Sequence, residues 1–250
     1  MRKINIGFCL LLVAMSAAAA EKRVHKTVPL AASGNVAIDT HNGTVTVTTW
    51  NQPSVDVSAR IEPGEIASDE DVRLTEIHVT GSGDSVRIES DYSAVPSRFV
   101  FFGVSRDLPL VHYTVSMPAS ARLTVDAHNS TVRVSGLRNE VKINTHNGNV
   151  DLAGIDGAAS VETHNGNVRV AFSRLASVSR IETHNGGIDL SVPAQSRFRV
   201  NASGNHLGLN SDFPAVVKFM DRSRYVGEVN GGGPELRITT HNGSLRLRKT

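Results

Sequence analysis

The tripeptide His-Asn-Gly, usually preceded by Thr, recurs along the chain at His41, His146, His164, His184 and His241. Ala127-His128-Asn129-Ser130 is a close variant, and Ala202-Ser203-Gly204-Asn205 a degenerate one. From His128 the steps are 18, 18, 20 and 19 residues, to His146, His164, His184 and Ser203, and His241 lies 38 further on, twice 19. A fixed period near 19 residues is the signature of stacked structural units. Chance similarity between loops does not produce it.

The flanks carry the same rhythm. Three residues before the histidine position lie Ile38, Val125, Ile143, Val161, Ile181, Val200 and Ile238. Four after it lie Val45, Val132, Val150, Val168, Ile188, Leu207 and Leu245, and six after it Val47, Val134, Leu152, Val170, Leu190, Leu209 and Leu247. Every one is Val, Ile or Leu, in a chain only 40% hydrophobic. The spacing is a period of two on both sides of the tripeptide, so each unit is a strand, a tight turn and a strand. Asn-Gly supplies the turn because Asn tolerates positive φ and Gly adopts it readily.

Two all-β architectures use such a unit. Asn-Gly between alternating strands is a strong hairpin signal and would build an antiparallel meander or sandwich. Alternatively, the tripeptide is a corner of a parallel β-solenoid, one turn of coil per repeat. The outward residue five after the histidine separates them. It reads Arg133, Asp151, Arg169 and Asp189 in successive repeats. In a solenoid these side chains stack about 4.8 Å apart, where alternating signs attract and like signs repel. The alternation favours the parallel β-solenoid.

The chain reads as one elongated domain over residues 21–250, with its most regular repeats at 120–210 and 236–248. Residues 51–110 and 210–235 break the rhythm, although 79–88 resemble one more unit without its histidine. The apolar run Phe99, Val100, Phe101 and Phe102 suits a plug at an end or flank of the coil, since solenoid ends must be capped.

Residues 1–20 read as a secretory signal peptide: Arg2 and Lys3, an apolar run at 4–13, and a small-residue cleavage site at Ala18, Ala19 and Ala20 before Glu21. The run is well short of the roughly 20 residues of a spanning helix. Cys9 lies inside it rather than after it, which argues against a lipid anchor. The whole chain has 26 Lys+Arg, 24 Asp+Glu and one Cys. Without Arg2, Lys3 and Cys9 the remainder is electroneutral and free of cysteine. That balance argues against nucleic-acid binding, and the missing thiols exclude a disulfide framework or a thiolate-rich zinc site. The expected location is the periplasm or surface of a bacterium.

The stretch 113–125, Tyr-Thr-Val-Ser-Met-Pro-Ala-Ser-Ala-Arg-Leu-Thr-Val, leads straight into the repeats, and 226–238, with Gly231-Gly232-Gly233, leads into the last His-Asn-Gly. Together with the strand–Asn-Gly–strand units, these resemble the bacterial putative-adhesin family of β-strand-repeat domains, a family of unknown function. The resemblance implies an exported envelope protein with a solenoid-like fold. It brings no catalytic or binding residues with it, and the recurrent histidine departs from the family pattern.

Residues two apart in a strand share a face. Two before each histidine stand Asp39, Asp126, Asn144, Glu162, Glu182 and Thr239, so stacking would set a column of His128, His146, His164 and His184 beside a mostly acidic column. Imidazole with carboxylate, Asp126 and Glu162 above all, is a usable ligand set for zinc or copper. Against that stands plain ring packing repeated by duplication. The Gly-Gly-x-Gly-x-Asp turn of calcium-binding solenoids is missing. A polysaccharide-active enzyme is a third class, with Asp126, Glu162 and Glu182 as its acids. Catalysis by paired carboxylates needs two groups with separated roles, whereas these recur in every repeat. The expected function is therefore a noncatalytic envelope adhesin or scaffold that meets an envelope protein or surface glycan, without a cofactor. Metal binding is the alternative.

Overall fold

The computed structural model describes residues 21–65, 67–100, 103–105, 108–205 and 208–250. The expected signal peptide, Leu207 and the Phe101–Phe102 half of the expected plug lie outside the described residues, as do the side chains of Phe99 and Val100. In chain order the elements are β1 (Lys22–Trp50), β2 (Ser54–Glu62), α1 (Asp69–Leu74), β3 (Glu76–Asp91), the hairpin β4 (Arg98–Val100) and β5 (Gly103–Ser105), β6 (Leu110–Pro118) and β7 (Arg122–Ser135). Four strand pairs follow: β8 (Val141–Asn147) with β9 (Val150–Ile155), β10 (Ala159–Asn165) with β11 (Val168–Phe172), β12 (Ser179–Asn185) with β13 (Ile188–Val192), and β14 (Phe198–Gly204) with β15 (Gly208–Ser211). The chain ends with β16 (Val216–Met220), β17 (Arg224–Val229), β18 (Glu235–Asn242) and β19 (Ser244–Lys249).

The two strands of a unit do not pair with each other. The strand before each corner pairs in parallel with its counterpart in the next unit, as Val125 with Ile143, Ile143 with Val161, and Val161 with Ile181. The strand after the corner does the same through Val132, Val150, Val168 and Ile188. Each unit is thus one turn of a flattened coil, and the chain is a parallel β-solenoid rather than a meander. The pre-corner strands form one face and the post-corner strands the other. Their inward side chains, such as Ile143, Leu152, Val161, Val170, Ile181 and Leu190, meet in one core and are at most 1% exposed. Burial of such a side chain contributes about 1.5–3 kcal/mol, so the strict aliphatic pattern is what closes the coil.

Antiparallel pairs appear at the two ends, where the repeat pattern fails. Residues 22–29 of β1 pair with β2, and β2 with β6, both antiparallel. At the opposite end β17 lies antiparallel between β14 and β16. Helix α1, capped by Ser68 and Asp71 in a reciprocal capping box, sends Val72 into the core beside β2. At the far end Phe213 meets Phe198 edge-on, with ring centroids 5.3 Å apart. No helix among the described residues is long and apolar enough to cross a membrane.

The rungs are not stacked in chain order. The last unit, β18 with β19, sits directly on β12 and β13, and β14 with β15 lies beyond it. His241 is therefore one rung from His184, although 57 residues separate them. The degenerate unit is also displaced by two positions from its expected alignment. Ala202, not Val200, pairs with Ile238, and Leu209 pairs with Leu245. A shift of two keeps every side chain on its own face, so alternation alone does not detect it.

Candidate functional site

The corners hold the recurrent tripeptide by three separate devices. The Asn side chains form a continuous ladder. Asn129 donates to Asn42 at 3.0 Å, and Asn147, Asn165, Asn185 and Asn242 each donate to the preceding Asn at 2.8 Å. The Thr before each His turns inward. Thr163, Thr183 and Thr240 are at most 2% exposed and donate to Gly148, Gly166 and Gly186 carbonyls at 3.3, 3.0 and 3.3 Å. The glycines allow adjacent corners to touch. A Cβ at Gly148 would lie 2.0 Å from the Ser130 carbonyl oxygen, and one at Gly166 2.0 Å from that of Gly148. The expected positive φ occurs at Gly43, at 124°, and at Gly186, at 157°, but not at Gly148, Gly166 or Gly243. Close approach, not left-handed backbone, is the reason for glycine there.

Held in this way, the histidines form a column of six rings. Centroid separations are 4.6 Å for His41–His128, 5.0 Å for His128–His146, 4.9 Å for His146–His164, 4.7 Å for His164–His184 and 4.4 Å for His184–His241. The three pairs from His128 to His184 lie within 6° of parallel. His41 meets Tyr92 edge-on at 6.4 Å. Below it the Tyr113 hydroxyl is 2.7 Å from Ser90, which is 3.1 Å from Thr40. Burial raises the Tyr113 phenol well above its usual range, so this end remains a neutral hydroxyl chain.

The second column runs in register beside the first. Asp39 pairs with Asp126, Asp126 with Asn144, Asn144 with Glu162, Glu162 with Glu182, and Glu182 with Thr239. Its charges are partly tied down: Asn144 donates to Asp126 at 2.7 Å, and Arg180 to Glu182 at 2.7 Å. Burial raises the Asp39 carboxyl above the ordinary carboxylate range, although Arg87 at 3.2 Å opposes the shift. Between the columns runs an open groove of about 760 Å³ lined by Asp126, His146, Glu162 and His164 among others.

All six residues singled out from the sequence, His128, His146, His164, His184, Asp126 and Glu162, thus lie on one face in consecutive rungs. His41 and His241 extend the column at both ends. Their identical tripeptide was the available signal, and only their distance along the chain hid the contact. Among the described residues, no three His, Cys, Asp or Glu side chains converge as metal ligands. In rings stacked face to face the lone pairs lie in parallel planes and do not converge, so an ion shared by two of them requires the rings to tilt.

The opposite face carries the charge column read from the sequence. Arg133, Asp151, Arg169 and Asp189 are register partners in turn, and Arg246 adds a fifth member of alternating sign. Further along this face lie two pairs of histidines and acids that the sequence did not mark. His112 bridges Thr44 and Glu62 at 2.9 Å each. His25 sits 3.0 Å from Ser58 and 3.3 Å from Asp56.

A family model described as Toastrack DUF4097 matches residues 28–248. No curated protein matches the chain. Among solved structures, a putative cell adhesion protein from Clostridium sporogenes has a TM-score of 0.51 at 10% identity, covering 92% of this chain and all of its own. A putative adhesin from Bacteroides fragilis gives 0.46 at 13% identity, over 90% of this chain and 97% of that one. A putative lipid binding protein from Parabacteroides distasonis gives 0.33 at 13% identity, over 92% and 97%.

Proposed function

Because the chain belongs to the Toastrack DUF4097 family, we propose that it is an exported, noncatalytic adhesin-like protein of the bacterial envelope. Its histidine–carboxylate face is the part that meets a surface glycan or an envelope protein. The observation that carries this reading is the six-ring column, which repeats one set of hydrogen-bonding groups every 4.4–5.0 Å along a single rigid face. Such an array suits a partner that is itself repetitive, because each rung adds a weak contact to the same encounter. The adhesion descriptions of the Clostridium and Bacteroides proteins point the same way.

The test is retention of the purified chain on whole cells and on cell-wall polysaccharide from its own organism. A variant carrying His146→Ala, Glu162→Gln and His164→Ala should lose at least about tenfold in retention, or about 1.4 kcal/mol. Arg169→Ala on the opposite face should bind as the parent does. Equal loss in both variants, or no retention of the parent, removes the reading.

A second reading draws on the same column: zinc or copper held by two tilted rings from His128, His146, His164 and His184, with Asp126 or Glu162 completing the site. Imidazole must be deprotonated to bind, so either metal should raise the melting temperature at pH 7.5 and far less at pH 5.5. Replacing His146 and His164 together by Ala should abolish the rise, while His25→Ala should not. An unchanged melting temperature with metal excludes it.

A further inference from the structure

The two ends of the solenoid differ in a way that neither face explains. Among the exposed large hydrophobic residues, Val216, Val217, Phe219 and Met220 all belong to the five-residue strand β16, with 62, 50, 49 and 70% exposure. Among the described strands β16 pairs only with β17, so its other backbone edge is open. Edge strands are ordinarily blunted by a charge that keeps other chains away. Here the one candidate, Lys218, sits at the register irregularity of the strand and is drawn 3.4 Å from Glu228 of the neighbouring strand. The edge is left apolar and available.

Charge separates the ends as well. Residues 62–91, which supply α1 and β3 at one end, contain nine Asp or Glu and two Arg. The first leg of β1, whose Lys22 and Lys26 bond to carbonyls of this segment, brings three Lys or Arg and Glu21, leaving the end acidic by five charges. Residues 197–250, which supply the last two rungs at the other, contain nine Lys or Arg and four Asp or Glu. Of the acids, Glu65, Asp69, Glu70, Glu76 and Asp84 are exposed, as are Arg197, Arg222 and Arg224 at the basic end. Among the other described strands β3 pairs only with β1, so it too terminates the sheet. The antiparallel steps from β14 to β17 to β16 return β16 to the direction of the pre-corner strands. β3 turns back on itself at Gly81–Gly83, with His78 3.2 Å from Asp91, so residues 85–89 lie beside β1 and residues 76–80 form the outer leg, running the opposite way.

We propose that copies of this chain associate head to tail, the open β16 edge of one docking on the acidic α1–β3 end of the next. The partner is a second copy because that copy supplies both the complementary sign and a second free sheet edge, the outer leg of β3, against which β16 would run antiparallel. The contact joins two different surfaces, so it is heterologous and extends into a filament unless its rotation closes a ring.

Sedimentation velocity over a concentration series tests the arrangement on the chain purified after export. The parent should form dimers and longer species at low salt, weakening by about tenfold or more at 0.5 M salt. Val217→Lys with Phe219→Lys blocks one end, and Glu70→Lys, Glu76→Lys with Asp84→Lys blocks the other. Each blocked variant alone should be monomeric, and a mixture of the two should give heterodimers and nothing longer. Arg222→Glu with Arg224→Glu gives a second block at exposed positions should the first disturb folding, which circular dichroism reports. Dimers of the acidic-end variant alone would mean that β16 pairs with itself, and would overturn the proposal. Undiminished association of the β16 variants would overturn it too, as would a parent that stays monomeric up to about 1 mM.

Discussion

Replacing Gly166 by Ala measures how tightly the corners are packed. The new Cβ would fall 2.0 Å from the Gly148 carbonyl oxygen, more than 1 Å inside ordinary contact. The rungs must then separate at that corner, where three bonds join them: Gly148 N–H to the Asn165 carbonyl at 3.0 Å, Thr163 Oγ1 to the Gly148 carbonyl at 3.3 Å, and Asn165 to Asn147 at 2.8 Å. At about 0.5–1.5 kcal/mol each, their loss costs about 1.5–4.5 kcal/mol. The reduced freedom of Ala in the unfolded chain returns about 0.4–1 kcal/mol in this variant and in the control alike, leaving a net loss of about 0.5–4 kcal/mol. For a chain of this size that lowers the melting temperature by roughly 2–4 °C per kcal/mol. Gly208→Ala is the control, since a Cβ there meets nothing within 4 Å and its φ is not positive. Urea unfolding of both variants decides. If Gly166→Ala lies within about 0.5 kcal/mol of Gly208→Ala, the scatter of neutral substitutions, the corners are loose and the close-approach argument fails.

Other perturbations address the remaining devices. Asp151→Arg sets three positive charges in line with Arg133 and Arg169, and should cost roughly 1–2 kcal/mol, less at high salt; an effect indifferent to salt would count against the column. Thr183→Val keeps the shape of a fully buried side chain but removes its 3.0 Å bond to the Gly166 carbonyl, and urea unfolding should show a loss of about 1–2 kcal/mol, with Thr183→Ser closer to the parent. For export, an intact mass of the secreted protein should place its first residue at Glu21 without an added acyl chain, and a start many residues away would refute the signal assignment.

The regular part of the fold was legible because two patterns in the sequence had to agree. Aliphatic alternation around each His-Asn-Gly placed Ile143, Val150 and Leu152 in the core but left hairpin and coil equally possible. The alternation of Arg133, Asp151, Arg169 and Asp189 broke the tie, since only stacked rungs give those residues a common neighbour. What was hidden involved pairing over long stretches of chain. Nothing local tells Ile238 to meet Ile181 rather than Val200, because all three are inward aliphatics at the same phase. The pairs β2–β6 and β14–β17 are antiparallel across stretches of chain that carry no repeat. At the site, the histidine column followed from the period once stacking was assumed, whereas the role of the neighbouring threonine did not. The alternation puts Thr183 on the inward side with Ile181, but its bond to the Gly166 carbonyl of the neighbouring rung is visible only in the geometry.

The placement of β18 and β19 between the third strand pair and the fourth bears on how the chain acquires its shape. A coil stacked in order can be completed rung by rung as it leaves a channel, each new turn closing on the one before. In this chain that sequence stops at β13. The segment holding β14 to β17 emerges before the turn it must rest on, and has to wait, unplaced, until residues 235–249 arrive to fill the slot. The stretch made later is an interior course of the wall rather than its coping. Losing it would open a gap between β12 and β14 instead of shortening the stack, so the whole far end, with its apolar edge, depends on a segment that is delivered after it.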